Sequence, residues 1–176
     1  MKRTLLLAFV LLFTGMVYAA DLSDYPSLFI SKGLLDVVFI VGDHANIADA
    51  IGAVDVATSL QFYTDNKVAS SAMLASEVES LNSSNMIVIG GPCANPIAAQ
   101  LLGYPNNCME GFTRGRAIVR LFDNGNTVSM VIAGATAADT RRACRAVANF
   151  NDFKDQFKGS AIQVTGTSLT DISISR

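Results

Sequence analysis

Three apolar runs in this chain share one arrangement: each ends at a glycine turn, and an alanine-rich segment with helical spacing follows. The runs lack the alternation of a half-exposed strand, so each predicts a strand that is covered on both faces. Glycine at the turn allows the chain to reverse sharply before the helix. The three predicted units are Val37–Gly42 with Ile47–Leu60, Met86–Gly91 with Pro96–Leu102, and Val128–Gly134 with Ala137–Phe150.

These units predict an α/β protein with three layers, in which a mainly parallel sheet lies between helices on both faces. The alternating run Ala117–Phe122 and the turn sequence Asp123–Asn126 predict a hairpin with the third apolar run. The tail alternates over Ala161–Thr165 and Leu169–Ser175, which predicts one or two terminal strands. We therefore expect antiparallel strands at one edge of the sheet.

Residue spacing also predicts which side of each helix is buried. In the first helix the predicted core-facing stripe comprises Ile47, Ile51, Val54 and Thr58, and Ala50, Ala53 and Ala57 are expected to widen it. The acidic residues of that helix, Asp49 and Asp55, are expected to face solvent or to cap a neighbour. In the third helix the predicted polar side carries Arg141, Arg142 and Arg145.

Other stretches carry weaker signals. Leu28–Ile30 suits a short strand, whereas Val68–Leu74 suits a strand and the overlapping Met73–Leu81 suits a helical turn or two. The triplet beginning at Asn82 is an N-glycosylation acceptor, which predicts a loop that faces solvent. The segment before the second helix has a clear cap signal, because Asn95 precedes a proline and Gly103 follows the helix.

The first 20 residues have the features of a secretory signal peptide. Lys2 and Arg3 precede the apolar stretch Leu5–Phe13, and small residues at Val17–Ala20 suit a cleavage site. The apolar stretch is shorter than the ~20 residues that a membrane-spanning helix needs. We therefore expect a signal peptide over residues 1–20, a single α/β domain over 21–176, and no transmembrane anchor after cleavage.

The charge balance excludes one class of partner. Removing Lys2 and Arg3 leaves 11 basic and 15 acidic side chains, a net charge of −4. The sequence has no basic stripe with interleaved aromatic residues, so a nucleic-acid interface is not predicted. The cysteines and the single histidine lack the spacing of metal ligands, and the glycine turns lack a complete nucleotide-binding motif. Neither a metal nor a cofactor is predicted.

The three cysteines suggest one disulfide and one free thiol. Export favours disulfides, and Cys93 and Cys108 bracket a short segment that includes the second helix. We predict a bond between these two, although three cysteines allow three different single bridges. Cys144 lies among small apolar residues of the third helix and is expected to be a buried free thiol.

The turns that follow the three core strands form the predicted binding edge. Ligands of parallel sheets favour the carboxyl ends of the strands, where these turns meet. The candidate residues at this edge are Gly42, Asp43, His44, Gly90, Gly91, Asn95 and Gly134. An alternative interpretation is a secreted hydrolase with Cys93 as nucleophile and His44 as base, because a helix N-terminus lowers a thiol pKa. The preferred interpretation assigns no catalytic residue.

Several of these motifs together resemble archaeal S-layer proteins. They are Phe39–Ala45 running into Asp49–Gln61, Ile87–Asn95, and Ile132–Gly134 with Ala138–Arg141. The glycine-glycine-proline turn is also similar to bacterial cell-wall-binding repeats. The resemblance spans about Val37–Ser175, which is most of the chain.

This resemblance implies a non-catalytic protein of the cell surface. The expected partners are other envelope or S-layer components and further copies of the chain itself. S-layer proteins usually carry large additional domains that build the lattice, whereas this sequence holds only the α/β module. The resemblance therefore implies a small structural or envelope-binding module, secreted to the cell surface.

Overall fold

The computed structural model describes residues 19–65 and 71–176. The predicted signal peptide lies almost entirely outside these residues, as does the first part of the predicted strand Val68–Leu74. Within the described ranges, no helix is long and apolar enough to cross a membrane.

Nine strands and three α-helices make up the described fold. The strands are β1 (Ile30–Ser31), β2 (Leu34–Leu35), β3 (Val38–Val41), β4 (Ser71–Leu74), β5 (Met86–Ile89), β6 (Arg116–Asp123), β7 (Val128–Gly134), β8 (Ala161–Thr165) and β9 (Ser173–Ser175). The helices are α1 (Ile47–Gln61), α2 (Pro96–Leu101) and α3 (Ala137–Ala148). Short 3-10 turns occupy Leu22–Asp24, Ser27–Phe29, Ala75–Glu77 and Phe150–Phe153. The predicted strand at Leu28–Ile30 is therefore mostly a 3-10 turn, and β1 begins only at its last residue.

Seven strands form one mixed sheet in the order β4-β3-β5-β7-β6-β8-β9. The first three pairings are parallel and the last three are antiparallel. The α/β class is confirmed, but the expected predominance of parallel pairing is wrong. The predicted β6–β7 hairpin is present, yet it lies inside the sheet, because β8 and β9 extend the antiparallel half beyond β6.

Each core strand contributes side chains to both faces of the sheet. In β7, Met130 and Ile132 pack in one buried cluster with residues of α1 and α3. Val131 and Ala133, which alternate with them, pack in a second cluster with residues of α2. Both faces of the central strands are therefore covered, which explains the uninterrupted apolar runs in the sequence.

The buried side of α1 differs from the predicted one. Ile47, Ile51 and Val54 are exposed, and the buried residues of the helix are Asp49, Gly52, Ala53, Val56 and Leu60. The reason is the close packing of α1 on α3. A Cβ atom at Gly52 would lie 2.7 Å from the Sγ atom of Cys144, so only small residues fit at this contact.

Two residues of α3, Cys144 and Arg142, are buried. Cys144 is free and fully buried, as predicted. Arg142, expected on the polar side, is instead only 8% exposed, and its guanidinium pairs with Asp139 at 2.9 Å. Its Nε also donates to the carbonyl oxygen of Ser168 at 3.3 Å. Arg142 thus joins α3 to the segment that leads into β9.

The contact between α1 and α3 predicts the effect of Gly52→Ala. In an exposed helix this change is stabilising, since alanine has the higher helix propensity. Here the added methyl group overlaps Cys144, so we expect the free energy of unfolding to fall by ~1–3 kcal/mol. Chemical denaturation followed by circular dichroism measures this loss.

The double variant Gly52→Ala/Cys144→Ala serves as the control. Removing the Sγ atom relieves the overlap, so the two changes together should cost less than the sum of their separate costs. Strictly additive costs would show that the overlap is not the cause.

Candidate functional site

The three predicted turns meet at one edge of the sheet and enclose a cleft. Val41, Ile89 and Ile132 are register partners in β3, β5 and β7, so the turns that follow these strands lie side by side. The cleft has a volume of about 260 Å³. Its lining residues are His44, Asn46, Asp49, Gly91, Pro92, Cys93, Ala94, Cys108, Met109, Phe112, Gly134, Ala135, Thr136, Ala137 and Thr140.

Several of the predicted edge residues position the turns and do not line the cleft. A Cβ atom at Gly42 would lie 1.8 Å from the carbonyl oxygen of Ala94, so glycine is required where these two turns cross. Gly134 does line the cleft, but a Cβ atom there would lie 2.5 Å from the Cβ atom of Asp139. These glycines permit close approach between backbone segments, which is sufficient to explain their presence.

Asn95 is fully buried and connects three elements. Its Nδ2 donates hydrogen bonds to the carbonyl oxygens of Ile40 in β3, at 3.2 Å, and Ile89 in β5, at 3.0 Å. Its Oδ1 accepts from the backbone N–H of Ile97 at 3.0 Å, which caps α2. Asn95 is thus a structural residue of the edge.

A disulfide forms one wall of the cleft. The structure joins Cys93 to Cys108, with their Cα atoms 4.9 Å apart. The bond anchors the segment after α2, which supplies Met109 and Phe112 to the lining. Met109 and Phe112 are apolar, and the N-terminal residues of α1 and α3 supply most of the polar groups of the lining.

The hydrolase arrangement is not formed in this structure. His44 and Cys93 both line the cleft, but the sulfur of Cys93 is held in the disulfide and provides no thiolate. Asp43 accepts hydrogen bonds from the side chain and backbone N–H of Ser76. These bonds lower the pKa of Asp43, with a smaller contribution from His44. Asp43 therefore holds the turn against Ser76 and is not hydrogen-bonded to His44.

Asp49 is buried beside the cleft, whereas the sequence pattern predicted that it faces solvent or caps a neighbour. It lies in the first turn of α1, is only 2% exposed, and its Oδ1 atom is buried without a hydrogen-bond partner. Burial raises the pKa of Asp49 from its ordinary 3.8 to about 6. Hydrogen bonding to the backbone of Asn46 lowers the pKa, but by less. Its position three residues after Asn46 is typical of a capping residue, so nothing in the local sequence pattern indicates burial.

The equivalent acid of α3 is fully paired. Asp139 accepts hydrogen bonds from Thr136 Oγ1 at 2.7 Å, Arg142 Nη1 at 2.9 Å and Gly115 N at 3.2 Å. Burial opposes ionisation, but these bonds outweigh it and lower the pKa of Asp139. Beside the cleft, one acid is thus stabilised as a carboxylate and the other is a buried carboxyl with spare hydrogen-bonding capacity.

Two further features complete the described surface. Asn82 is exposed in a turn before β5, so its side chain is accessible to a glycosylating enzyme. In the described ranges, no group of three or more side chains of the metal-binding types (His, Cys, Asp, Glu) is placed to hold a metal ion.

The buried carboxyl of Asp49 predicts a pH dependence of stability. The unfolded chain releases this proton near pH 3.8, whereas the folded chain retains it until about pH 6. The contribution of Asp49 to stability is therefore complete below pH 3.8, falls as the pH rises to 6, and is lost above that. The total loss is on the order of 3 kcal/mol.

Asp49→Asn isolates this contribution, because asparagine does not ionise. The stability of the variant minus that of the wild type should rise by about 2.5 kcal/mol between pH 4 and pH 7. Urea unfolding at several pH values measures the difference, and the other titrating groups cancel in the subtraction. A difference that stays constant with pH would contradict the assignment.

The disulfide predicts a second change in stability. It closes a loop with a sequence separation of 15 residues, so Cys93→Ser/Cys108→Ser should lower the free energy of unfolding by ~3 kcal/mol. Guanidinium unfolding measures the effect. A thiol reductant should destabilise the wild type by a similar amount and leave the double variant unchanged. A wild type that is indifferent to reductant would show that the bond adds no stability.

Comparison with known proteins gives one family match. Residues 66–150 match the family described as "S-layer like family, outer domain". This segment extends from just before β4 to just after α3 and contains two of the three turns that form the cleft. No curated protein matches the chain. The match confirms the S-layer resemblance of the sequence over this segment.

Proposed function

We propose that this protein is an exported, non-catalytic module of the cell surface that binds other envelope components through the cleft. The observation that carries the proposal is the match of residues 66–150 to the outer domain of the S-layer like family. That family supports a structural role at the cell surface. The sequence pattern of residues 1–20 supports export.

The chemistry of the cleft supports binding in preference to catalysis. The lining combines an apolar wall at Met109 and Phe112 with polar groups at His44 and Thr136. Cys93, the candidate nucleophile, is held in a disulfide, and Asp43, the acid next to His44, is hydrogen-bonded to Ser76. A cleft of this kind suits a ligand that offers both an apolar surface and hydrogen-bonding groups.

The proposed partners are S-layer or other envelope components and further copies of the chain. Residues 21–176 act as one α/β domain in this proposal, and a glycan on Asn82 would project from a turn before β5. That turn lies at the opposite edge of the sheet from the cleft, because β5 begins there and ends at the cleft. Glycosylation would therefore leave the cleft open.

Substitutions that fill the cleft test this proposal. Ala137 is the first residue of α3 and lines the cleft, and glutamate there is also favourable for the helix N-terminus. We expect Ala137→Glu and Met109→Glu to weaken binding to isolated envelopes at least about tenfold, a loss of ~1.4 kcal/mol. Sedimentation of envelopes with labelled protein measures the binding.

The matched control adds the same charge at the opposite edge of the sheet. Asn126 is exposed in the β6–β7 hairpin, and Asn126→Glu should bind envelopes as the wild type does. The proposal is refuted if both cleft variants bind normally while the hairpin variant does not.

A further inference from the structure

A depression lies where the N-terminal ends of α1 and α3 meet the segment between β8 and β9. It has a volume of about 410 Å³ and is formed by Ala48 of α1, by Ala138, Arg141 and Arg142 of α3, and by residues 167–169. Among the described residues that line it, none is acidic. Since the chain as a whole is acidic, a recess with two arginines and no acid is a local reversal of charge.

Arg141 has no partner within the described ranges. Its guanidinium forms no ion pair there, and its Nε atom is buried without a hydrogen-bond acceptor. A buried donor without an acceptor is unfavourable, and more so in a charged group. The backbone at this position is fixed by α1, because a Cβ atom at Gly52 would lie 3.8 Å from the Cα atom of Arg141. The described fold thus places a cationic group at the depression without using its charge.

Arg142 supplies a second set of donors. It is only 8% exposed, and its guanidinium is held in place by Asp139 at 2.9 Å and by the carbonyl oxygen of Ser168 at 3.3 Å. These bonds use Nη1 and Nε, and Nη2 forms no hydrogen bond in the described part of the chain. A guanidinium has five N–H donors, so this immobilised group retains capacity for a further acceptor.

The start of α3 adds backbone donors. Thr136 caps the helix by accepting from the N–H of Asp139 at 3.2 Å. Among the described residues, the N–H groups of Ala137 and Ala138 have no acceptor. The N-terminal end of this 12-residue helix also carries a partial positive charge. The depression therefore presents guanidinium and backbone donors together.

Neighbouring acids do not use these donors fully. Asp139 is already bonded to Thr136, Gly115 and Arg142. Asp171 accepts hydrogen bonds from the backbone and side chain of Thr167. The donors that remain at the depression require an acceptor with several oxygens and a negative charge.

We propose that this depression binds a phosphate group, with Arg141 as its principal contact. A carboxylate offers two oxygens, whereas a phosphate monoester offers three terminal oxygens and close to two negative charges at neutral pH. The planar guanidinium of arginine can bond two of these oxygens at once. Arg142 and the backbone N–H groups of Ala137 and Ala138 are placed to bond the remaining oxygen.

This site goes beyond the proposed function, which concerns the cleft. Asn46 and Ala137 line both the depression and the cleft, so the two are neighbours. Arg141 and Ala138 line only the depression, and Met109 lines only the cleft. Variants at these residues can therefore test the two sites separately.

Titration of the chain, as processed by its expression host, with glycerol 3-phosphate tests the proposal. Backbone amide NMR at about pH 7.5 and constant ionic strength should show saturable shifts at Ala137 and Ala138, with a dissociation constant on the order of 1 mM. Arg141→Met and Ala138→Glu should each raise that constant at least about tenfold. Methionine keeps the length of the apolar side chain, and glutamate is favourable in the first turn of a helix, so both variants should retain the wild-type circular dichroism.

Arg145→Met is the matched control. It removes the same charge from the same helix, but Arg145 pairs with Asp55 and does not line the depression, so phosphate binding should be unchanged. Flotation with phosphatidic acid vesicles distinguishes a lipid headgroup from a soluble phosphate, and binding of either probe that requires Arg141 supports the site. The proposal is overturned if neither probe binds, if Arg145→Met weakens binding as much as Arg141→Met, or if Met109→Glu abolishes phosphate binding.

Discussion

The buried amide of Asn95 is the interaction on which the edge of this sheet depends. Its Nδ2 is shared between the carbonyl oxygens of Ile40 and Ile89, which belong to adjacent parallel strands, and its Oδ1 holds the start of α2. Buried polar groups must be paired, and here one side chain provides for two strands and a helix at once. Because the pairing fixes where β3 and β5 end, it also fixes where Gly42 crosses the backbone of Ala94. The cleft is a consequence of that crossing.

The cleft and the outer side of α1 are constrained in different ways. At the cleft, hydrogen bonds and close backbone contacts determine geometry, and one buried carboxyl, Asp49, is left without a full set of partners. On the outer side of α1, by contrast, apolar side chains are exposed and have no neighbours to pack against. Such unpartnered groups have a free-energy cost in the isolated chain, and association or ligand binding reduces that cost.

The sequence predicted local features well, but it predicted helix packing and strand order less well. Strand positions, helix caps and the β6–β7 hairpin follow from patterns within a few residues, and the structure contains them. The buried side of α1 could not be predicted in this way, because the helix is apolar around its circumference. The buried side of α1 is determined by its packing on α3, because Cys144 leaves room only for a glycine opposite it. Asp49 was misplaced for the same reason, since its burial follows from the position of α1 in the fold. The central place of the hairpin was missed because strand order depends on distant segments.

The direction of β6 has a consequence for the wall of the cleft. Because β6 runs antiparallel to β7, its first residues lie beside the last residues of β7, with Ala117 opposite Gly134. The chain between α2 and β6 must therefore travel back to the cleft edge before the strand can begin. A parallel β6 would start at the far edge and would draw this connection away. The reversed strand thus places Cys108, Met109 and Phe112 where they can reach the cleft, and the route of the backbone brings the two cysteines close enough to be joined.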